Sequence, residues 1–290
     1  MISKLILGTV QFGLNYGIAN SEGKPDLSKV RSILRRAADH GIRVLDTAAA
    51  YGDSETVIGT LLVEDPALKR HFQVVSKIPP LPKDASPEQL RAFIGNSVDT
   101  SLRRLGLDSL YGILFHREED APQLPVLQEL KARGKVLHCG FSADGFLPDD
   151  LSAAEMIQVP GNVLDRRFIP FPGKKPAKLF VRSVYLQGLL MMPEEKIPSE
   201  LAGVIPYRRK LTALAEKNGM SPAELYMRYL FSFPEIDGVL TGVDNPDQLD
   251  VNVRMAAGGP LEDSLHRAIL ELIPELPELW THPKLWPKKK

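Results

Sequence analysis

The fold of this chain is clearest in residues 72–116, which read FQVVSKIPPLPKDASPEQLRAFIGNSVDTSLRRLGLDSLYGILFH. Two apolar runs rich in β-branched residues, Phe72–Ile78 and Leu110–His116, flank a longer stretch with helical signals. Ser86-Pro87 is typical of a helix start, and Gly106 is typical of a helix end. The segment therefore predicts two strands joined by a helix, an arrangement that places the strands parallel in one sheet.

Six further apolar runs of strand length extend this pattern along the chain. They are Leu5–Val10, Ile42–Thr47, Val136–Ser142, Met156–Val159, Leu179–Tyr185 and Gly238–Gly242. Most are continuous rather than alternating, which is typical of parallel strands buried on both faces. Helical patterns lie between many of the runs, at Leu27–His40, Pro87–Leu105, Pro122–Arg133, Pro206–Lys217 and Ser221–Ser232.

Repeated strand–helix alternation over this length predicts an α/β fold, specifically a (β/α)8 TIM barrel. We expect a single catalytic domain over residues 1–290, with residues 283–290 as a flexible tail. A doubly wound open sheet shares the alternation, but no strand leads into a Gly-x-Gly-x-x-Gly helix start. The closed barrel is therefore the favoured architecture.

The composition argues against several classes of protein. Thirty-six basic residues balance thirty-six acidic ones, so the chain lacks the net positive charge of most nucleic-acid binders. Hydrophobic residues make up 43% and charged residues 25%, as in globular proteins, and no apolar run reaches membrane-spanning length. The single cysteine, Cys139, excludes an internal disulfide framework. With no signal-peptide pattern, we expect a cytoplasmic protein without nucleic-acid or membrane partners.

Ionisable side chains stand at or just after the ends of three consecutive predicted strands. Asp46 ends the second strand and Tyr51 follows five residues later, while Lys77 and His116 end the next two strands. Each residue alone has an ordinary structural explanation, such as a turn or a solvated side chain. Because the carboxyl ends of barrel strands meet at one face, we expect all four at one mouth, where such groups are usually functional.

These four residue types suit acid catalysis. A lysine ammonium beside a tyrosine lowers the pKa of the phenol from about 10 and makes it a better proton donor. Asp46 would keep Lys77 charged, and a neutral His116 would orient the oxygen that receives the proton. One His and one Asp lack the ligand density of a metal site, so no metal is expected. The chain also has no Gly-x-Ser-x-Gly nucleophile elbow.

The order of motifs resembles that of the aldo-keto reductase family, bacterial members included. The resemblance runs from Leu7 to about Ala256 and is carried by Leu7–Gly13, Gly41–Gly52, Val75–Lys77, Leu114–Arg117, Gly140–Ser142, Gln158–Arg167, Gln187–Leu190 and Asn245–Leu249. It implies a barrel that reduces carbonyl compounds reversibly with a nicotinamide dinucleotide. It also implies that Asp46, Tyr51, Lys77 and His116 form the catalytic tetrad.

The resemblance further implies an extended dinucleotide along the barrel mouth. The residues that it assigns to cofactor binding are Thr9, Asp46, Ser142, Gln158, Arg182, Ser183, Gly242, Gln248 and Asn252. It favours NADP(H), with NAD(H) as the alternative. The chain nevertheless departs from the family pattern, because Ala143 replaces an asparagine and Arg182 an aromatic residue. No basic residue occupies the positions at which family members often bind the 2′-phosphate of NADP(H). We therefore expect a weak preference for NADP(H) over NAD(H).

The substrate pocket is predicted to be walled by loops that carry many polar and basic residues. The loops are Gly13–Lys24, Pro79–Pro87, Arg117–Leu124, Phe168–Lys178 and Met191–Val204. With an adjacent arginine pair they supply Asn15, Tyr16, Lys83, Arg117, Arg166, Arg167, Lys174 and Lys175. This set favours a small carbonyl substrate such as a sugar or a nucleotide-sugar, although a merely solvated set of loops is nearly as well supported.

Two other functions stay open at this point. The same fold serves as a redox-sensing NAD(P)(H)-binding module with little turnover, and Lys77 in a barrel suits a Schiff-base aldolase. The complete tetrad favours a reductase over the sensing module. Tyr51 and Asp46 beside Lys77 fit acid catalysis better than a neutral, nucleophilic amine.

Overall fold

Eight parallel strands form a closed barrel in the computed structural model, which describes residues 4–16, 23–173 and 176–286. They are β1 (Leu5–Gly8), β2 (Val44–Asp46), β3 (Gln73–Ile78), β4 (Leu110–Phe115), β5 (Val136–Ser142), β6 (Met156–Pro160), β7 (Lys178–Arg182) and β8 (Gly238–Gly242). Each strand pairs with its neighbours in sequence, and β8 closes the barrel on β1. The predicted TIM barrel is confirmed.

The helices pack around this barrel. Those of the described residues are α1 (Val10–Gly13), α2 (Leu27–Asp39), α3 (Ser54–Glu64), α4 (Pro66–His71), α5 (Pro87–Leu105), α6 (Leu124–Ala132), α7 (Ile205–Lys217), α8 (Pro222–Phe231), α9 (Pro246–Ala257), α10 (Asp263–Leu272) and α11 (Glu278–Thr281). Short 3-10 helices occupy Glu118–Gln123, Leu186–Gly188, Glu194–Lys196, Ser199–Val204 and Pro283–Leu285. None of the helices in this part of the chain is long and apolar enough for a membrane span.

Helix α5 shows how local sequence fixes an element. The Ser86 side chain accepts a hydrogen bond from the Gln89 amide, and the Gln89 side chain accepts one from the Ser86 amide. This reciprocal cap satisfies amides that the first turn leaves unpaired. Gly106 ends the helix at φ 63°, a left-handed conformation that only glycine adopts at little cost.

The alternation of strands and helices is interrupted in two places. Within the described residues, no helix lies between β5 and β6 or between β6 and β7. Prolines interrupt both connections, at Pro148 and at Pro170 and Pro172, and proline removes a helix hydrogen bond. Conversely, the sequence pattern missed helices at Ser54–Glu64, Pro66–His71, Pro246–Ala257 and Asp263–Leu272.

The predicted seventh strand is also too long. It was expected to reach Tyr185 but ends at Arg182, because Ser183 has a φ of 66° and leaves the extended conformation. Leu186 and Gln187 follow with φ values of 48° and 52°. Three residues other than glycine in the left-handed region turn the chain sharply at the barrel mouth.

The barrel interior is packed separately from the layer between sheet and helices. Its cluster consists of Ile6, Val75, Leu114, Met156, Phe180 and Leu240. Two glycines make room for it: a Cβ on Gly238 would lie 2.2 Å from Ile6 Cδ1, and one on Gly112 would lie 2.8 Å from Met156 Sδ. The interior is therefore a packed core rather than a pore, and in such barrels ligands bind above the carboxyl ends of the strands.

The chain returns to this mouth near its end. The 3-10 helix Pro283–Leu285 follows α11, and Lys284 Nζ lies 2.8 Å from Asp144 Oδ2. The tail predicted over residues 283–290 therefore begins within a short helix that contacts the barrel, and residues 287–290 lie outside the described part.

Candidate active site

A cavity of about 800 Å³ opens at the carboxyl ends of the strands. We call it the large cavity. All nine residues that were predicted to bind the cofactor line it, namely Thr9, Asp46, Ser142, Gln158, Arg182, Ser183, Gly242, Gln248 and Asn252. Tyr51 lines it as well. The structure thus brings the predicted positions together around one space.

Lys77 lies behind this lining and links two of its members. Its Nζ donates to Asp46 Oδ2 at 2.6 Å and to the Thr47 carbonyl oxygen at 3.0 Å. The same Nζ lies 3.5 Å from the Tyr51 hydroxyl oxygen and 5.0 Å from the centre of the Tyr51 ring. Only 1% of Lys77 and 3% of Asp46 is exposed. The pair therefore holds a charge next to the phenol that water barely screens.

The protonation state of Lys77 follows from these contacts. Burial by itself lowers the pKa of an ammonium, but the Asp46 carboxylate, and after it the Tyr51 hydroxyl, raise the pKa of Lys77 above its ordinary value. The side chain is therefore a cation at neutral pH. A protonated lysine donates hydrogen bonds and cannot act as a nucleophile.

The His116 ring packs against the Tyr51 ring. The two ring centres lie 5.8 Å apart, edge to face. Burial, and then the positive charges of Lys77, Arg182, Lys284 and Arg117, lower the pKa of His116 to about 4. The imidazole is therefore neutral at physiological pH. Its Nδ1 is buried without a hydrogen-bond partner among the described residues.

Ser142 and Gln158 face the cavity from neighbouring strands in register. Gln158 Nε2 donates to Asp46 Oδ1 at 2.8 Å, which fixes the orientation of its amide. Gln158 Oε1 is buried and lacks a partner in the described part of the chain, as do Gln11 Oε1 and Thr241 Oγ1. Buried acceptors without partners are costly, so these atoms favour a polar ligand in the cavity.

The hydrogen bonds of Thr9 mainly hold neighbouring segments together. Its hydroxyl donates to the Asp46 carbonyl oxygen at 2.9 Å and lies 3.0 Å from the Ser54 hydroxyl. The Ser54 hydroxyl also contacts Thr47, at 3.0 Å. These bonds tie β1, the end of β2 and the start of α3 together, so they hold the backbone that carries Asp46 and Tyr51.

Arg182 is held by the loop after β5. Its guanidinium donates to the Ala143 carbonyl oxygen at 2.9 Å and to Asp144 Oδ1 at 2.8 Å. Burial raises the pKa of Asp144, but Arg182, Lys284 and His282 outweigh it and hold that pKa well below its usual range. Asp144 is therefore an anion that gathers three basic side chains on one rim of the mouth.

The opposite rim is formed by β8 and the start of α9. Asn245 caps α9 by accepting from the Gln248 amide at 2.9 Å, and Gln248 Oε1 accepts from the Asp244 amide at 2.7 Å. Gln248 is thus engaged in the helix cap, while Asn252 is buried one turn further on. Asp244 and Asp247 also line the cavity here, which makes this rim acidic.

A sequence model of the aldo/keto reductase family matches residues 4–274. The chain belongs to the aldo/keto reductase family. It is 26% identical to L-glyceraldehyde 3-phosphate reductase of Escherichia coli O157:H7, over 87% of this chain and 85% of that protein. It is 30% identical to 6-dehydroglucose reductase of Novosphingobium aromaticivorans over 52% of each chain, so the match spans about half of that relative.

The likeness extends to solved structures. An aldo-keto reductase of Bacillus halodurans, in its holo form, matches with a TM-score of 0.73 over 94% of this chain and 93% of that chain. The two sequences are 21% identical, so the comparison shows a shared fold. Together with the family match it identifies this protein as a barrel of an oxidoreductase family.

The loops of this aldo/keto reductase contribute less to the mouth than predicted. Tyr16 and Met191 line the large cavity, and Arg117 lines a smaller pocket beside it. Arg166 donates to carbonyl oxygens at Leu270 and Ile273 instead. Outside both cavities are Lys83, which is exposed, and Arg167, which pairs with Asp165. Lys174 and Lys175 lie outside the described residues.

Several lining residues were missed by the sequence reasoning. Thr241 and Asp144 stand at or just after strand ends, so the rule that found Asp46 also applies to them. Gln11 lies in a short helix after β1 and packs against Gly242. Lys284 lies in the predicted tail, where no strand or helix pattern points to the mouth.

Proposed function

We propose that this protein is an NAD(P)(H)-dependent reductase that converts a carbonyl group to an alcohol. Tyr51 is the general acid, assisted by Lys77, Asp46 and His116. The observation that carries the proposal is the buried Asp46–Lys77 pair, whose ammonium lies 3.5 Å from the Tyr51 hydroxyl. A fixed positive charge at that distance stabilises a developing phenolate and so favours release of the proton.

Each residue of the tetrad has a separate task in this scheme. Tyr51 donates its hydroxyl proton to the carbonyl oxygen, and Lys77 stabilises the negative charge that Tyr51 acquires. Asp46 keeps Lys77 protonated against the effect of burial. His116, neutral because its pKa is about 4, offers a ring nitrogen to orient the carbonyl oxygen.

The cofactor positions fit a dinucleotide. A nicotinamide supplies hydride when bound, and its carboxamide matches Ser142 and the unpartnered Gln158 Oε1. Arg182 would support the nicotinamide ring, and Thr9 and Asp46 line the same cavity. Ser183, Gly242, Gln248 and Asn252 would contact the pyrophosphate and the adenosine end. The large cavity, at about 800 Å³, has room for such a ligand.

The choice between NADP(H) and NAD(H) is a separate point. Family resemblance favours NADP(H), but among the described residues that line the large cavity Arg182 is the basic one. It is already paired with Asp144. Since Asp244 and Asp247 line the opposite rim, a 2′-phosphate gains little there, and we propose that both cofactors are used.

For the substrate we propose a small polar carbonyl compound, such as a sugar or a nucleotide-sugar. The two relatives are named as reductases of glyceraldehyde phosphate and of a dehydroglucose, which supports this class. The cytoplasmic location stays a prediction from the sequence.

Steady-state kinetics test the proposal against its two alternatives. NADPH and NADH are titrated first by fluorescence, and their oxidation is then followed with a panel of aldehydes, sugars and nucleotide-sugars. Turnover with at least one carbonyl supports the reductase. Binding without turnover would favour the sensing module, and borohydride trapping of a substrate on Lys77 would favour the aldolase. The protonated state of Lys77 predicts that no such adduct forms.

A further inference from the structure

A small pocket beside His116 lies next to the cofactor positions described above. It encloses about 260 Å³ and adjoins the large cavity at Ser142, Arg182 and Ser183. His116 lines it, so the pocket begins where the carbonyl oxygen is proposed to bind. A substrate held by Tyr51 and His116 would extend into this space.

The charges around the small pocket are unbalanced. Three permanent cations line it, Arg117, Arg182 and Lys284, against one carboxylate, Asp144. Asp144 is shared, since Oδ1 pairs with Arg182 and Oδ2 with Lys284, both at 2.8 Å. One carboxylate cannot neutralise both Arg182 and Lys284, so a positive charge is left over there. The third cation, Arg117, is balanced by Asp120 at 3.1 Å.

The same cations act on His116. After burial, which is the largest cause, the groups that lower the pKa of His116 are Lys77, Arg182, Lys284 and Arg117, and all four are cations. The imidazole therefore experiences a positive potential from the pocket side as well as from the catalytic lysine. Such a potential attracts an anion of the right size.

We propose that the small pocket binds an anionic group of the substrate, a carboxylate or a phosphate, on a short-chain aldehyde or ketone. The proposal rests on the reductase function, since it places the carbonyl between Tyr51 and His116. Arg117 and Lys284 are the specificity-determining residues, because they reach the pocket from two separate segments and the carbonyl chemistry does not require either. The substrate class is therefore narrower than polar carbonyl compounds in general.

Matched substrates provide the test. The kcat/KM of succinic semialdehyde is compared with that of butanal, and glyceraldehyde 3-phosphate with glyceraldehyde, at low ionic strength. We expect each anion to be favoured by about tenfold or more in kcat/KM, or about 1.4 kcal/mol, since only the charged substrate forms charge-assisted hydrogen bonds with the pocket cations. The two pairs distinguish carboxylate from phosphate. Equal values within both pairs would overturn the proposal.

Variants then assign the effect. Lys284→Gln and Arg117→Gln should each reduce the anion preference several-fold, and Lys284→Arg should restore it. Lys210→Gln, which removes an exposed lysine of α7 outside both cavities, is the matched control and should leave the preference unchanged. A preference that survives both pocket substitutions would contradict the assignment.

A binding measurement separates this proposal from the reductase function. Calorimetric titration of succinate and of inorganic phosphate into wild type and into the Lys284→Gln/Arg117→Gln double variant needs no turnover. If no carbonyl is reduced but the anions bind wild type and not the double variant, the reductase proposal fails and the anion site stands. If carbonyls are reduced and neither anion binds wild type, the anion site is wrong.

Discussion

Two carboxylate–ammonium pairs lie at the mouth of this barrel, and they differ mainly in their exposure to water. Asp46 and Lys77 are 2.6 Å apart, with side chains 4% and 1% exposed. Asp144 and Lys284 are 2.8 Å apart, with side chains 14% and 62% exposed. The same two functional groups at nearly the same distance therefore have different physical properties.

The difference lies in what each charge can do. A buried pair keeps its geometry because separating it would leave an uncompensated charge in a medium of low dielectric constant. A pair open to solvent is worth little, and its partners exchange readily with water or with a ligand. Asp46 and Lys77, which we call the inner pair, are thus suited to holding a fixed charge beside the reacting groups. Asp144 and Lys284, the outer pair, are suited to recognition of a charged substrate.

The largest effect is expected from substitution of Tyr51, whose phenol lies next to the inner pair. Tyr51→Phe should lower kcat on the order of 10²–10⁴-fold, because it removes the general acid. Affinity for NAD(P)H should stay within about a few-fold, since the ring remains in place. Stopped-flow kinetics and fluorescence titration measure the two quantities. A normal kcat in Tyr51→Phe would refute the mechanism.

Next come the two members of the inner pair, which should shift the alkaline limb of kcat in opposite directions. In Lys77→Met the limb should move to higher pH and kcat should fall by orders of magnitude, since no ammonium favours the phenolate. In Asp46→Asn the limb should move to lower pH. Without its counter-charge the buried Lys77 has a lower pKa, so it loses its proton at lower pH and then no longer assists Tyr51. The loss of kcat at neutral pH should be smaller. Rate profiles that shift the same way would contradict the assigned roles.

Stability should separate the inner pair from the outer pair directly. Lys77→Met leaves the Asp46 carboxylate buried without its cation, so the free energy of unfolding should fall by about 3–5 kcal/mol. Lys284→Gln removes a solvent-exposed partner and should cost about 0–1 kcal/mol. Urea denaturation of both variants at pH 7 measures the difference. Similar losses would mean that burial does not distinguish the pairs.

His116 connects the two regions, and its titration reports the outer one. Its pKa of about 4 lies below its ordinary value, so the unfolded chain binds more protons and His116 reduces stability as the pH falls from about 6.5 towards 4. In Lys284→Gln the pKa should rise, because one repelling cation is gone. NMR titration of the imidazole follows both. An unchanged pKa would show that Lys284 does not act on the site.

The smallest effect concerns the cofactor. Discrimination between NADPH and NADH should be about tenfold, or about 1.4 kcal/mol, because no basic clasp lines the acidic rim in the described part of the cavity. Fluorescence titration with both cofactors measures it. A thousandfold preference for NADPH would point to a basic residue beyond that lining, and Arg254 of α9 would be the first to substitute.

Sequence reasoning reached the barrel and the inner pair because both follow local rules. Apolar runs mark buried strands, and a charged residue that ends such a run, such as Asp46 or Lys77, marks the carboxyl-end face. Those rules do not identify the outer pair. Asp144 follows β5 by two residues, but Lys284 reaches it from the far end of the chain, and contacts between distant segments leave no periodic signal.

The same limit explains the errors at β7. Left-handed residues are usually signalled by glycine, but here Ser183, Leu186 and Gln187 adopt that conformation without one. A contact from outside the turn accompanies it, since the buried Asn162 side chain donates to the Ser183 carbonyl oxygen at 3.2 Å. An apolar run that continues to Tyr185 therefore reads as strand although the strand ends earlier.

This left-handed turn also bears on heat tolerance. Each such residue costs about 1–3 kcal/mol, and three together approach the whole net stability of many domains, about 5–15 kcal/mol. A directed-evolution experiment that selects only for survival at high temperature would tend to replace Gln187 by glycine, whereas the buried Leu186 would leave a cavity if it were replaced. Gln187 lines both the large cavity and the small pocket, so the resulting proteins would be more stable but less active.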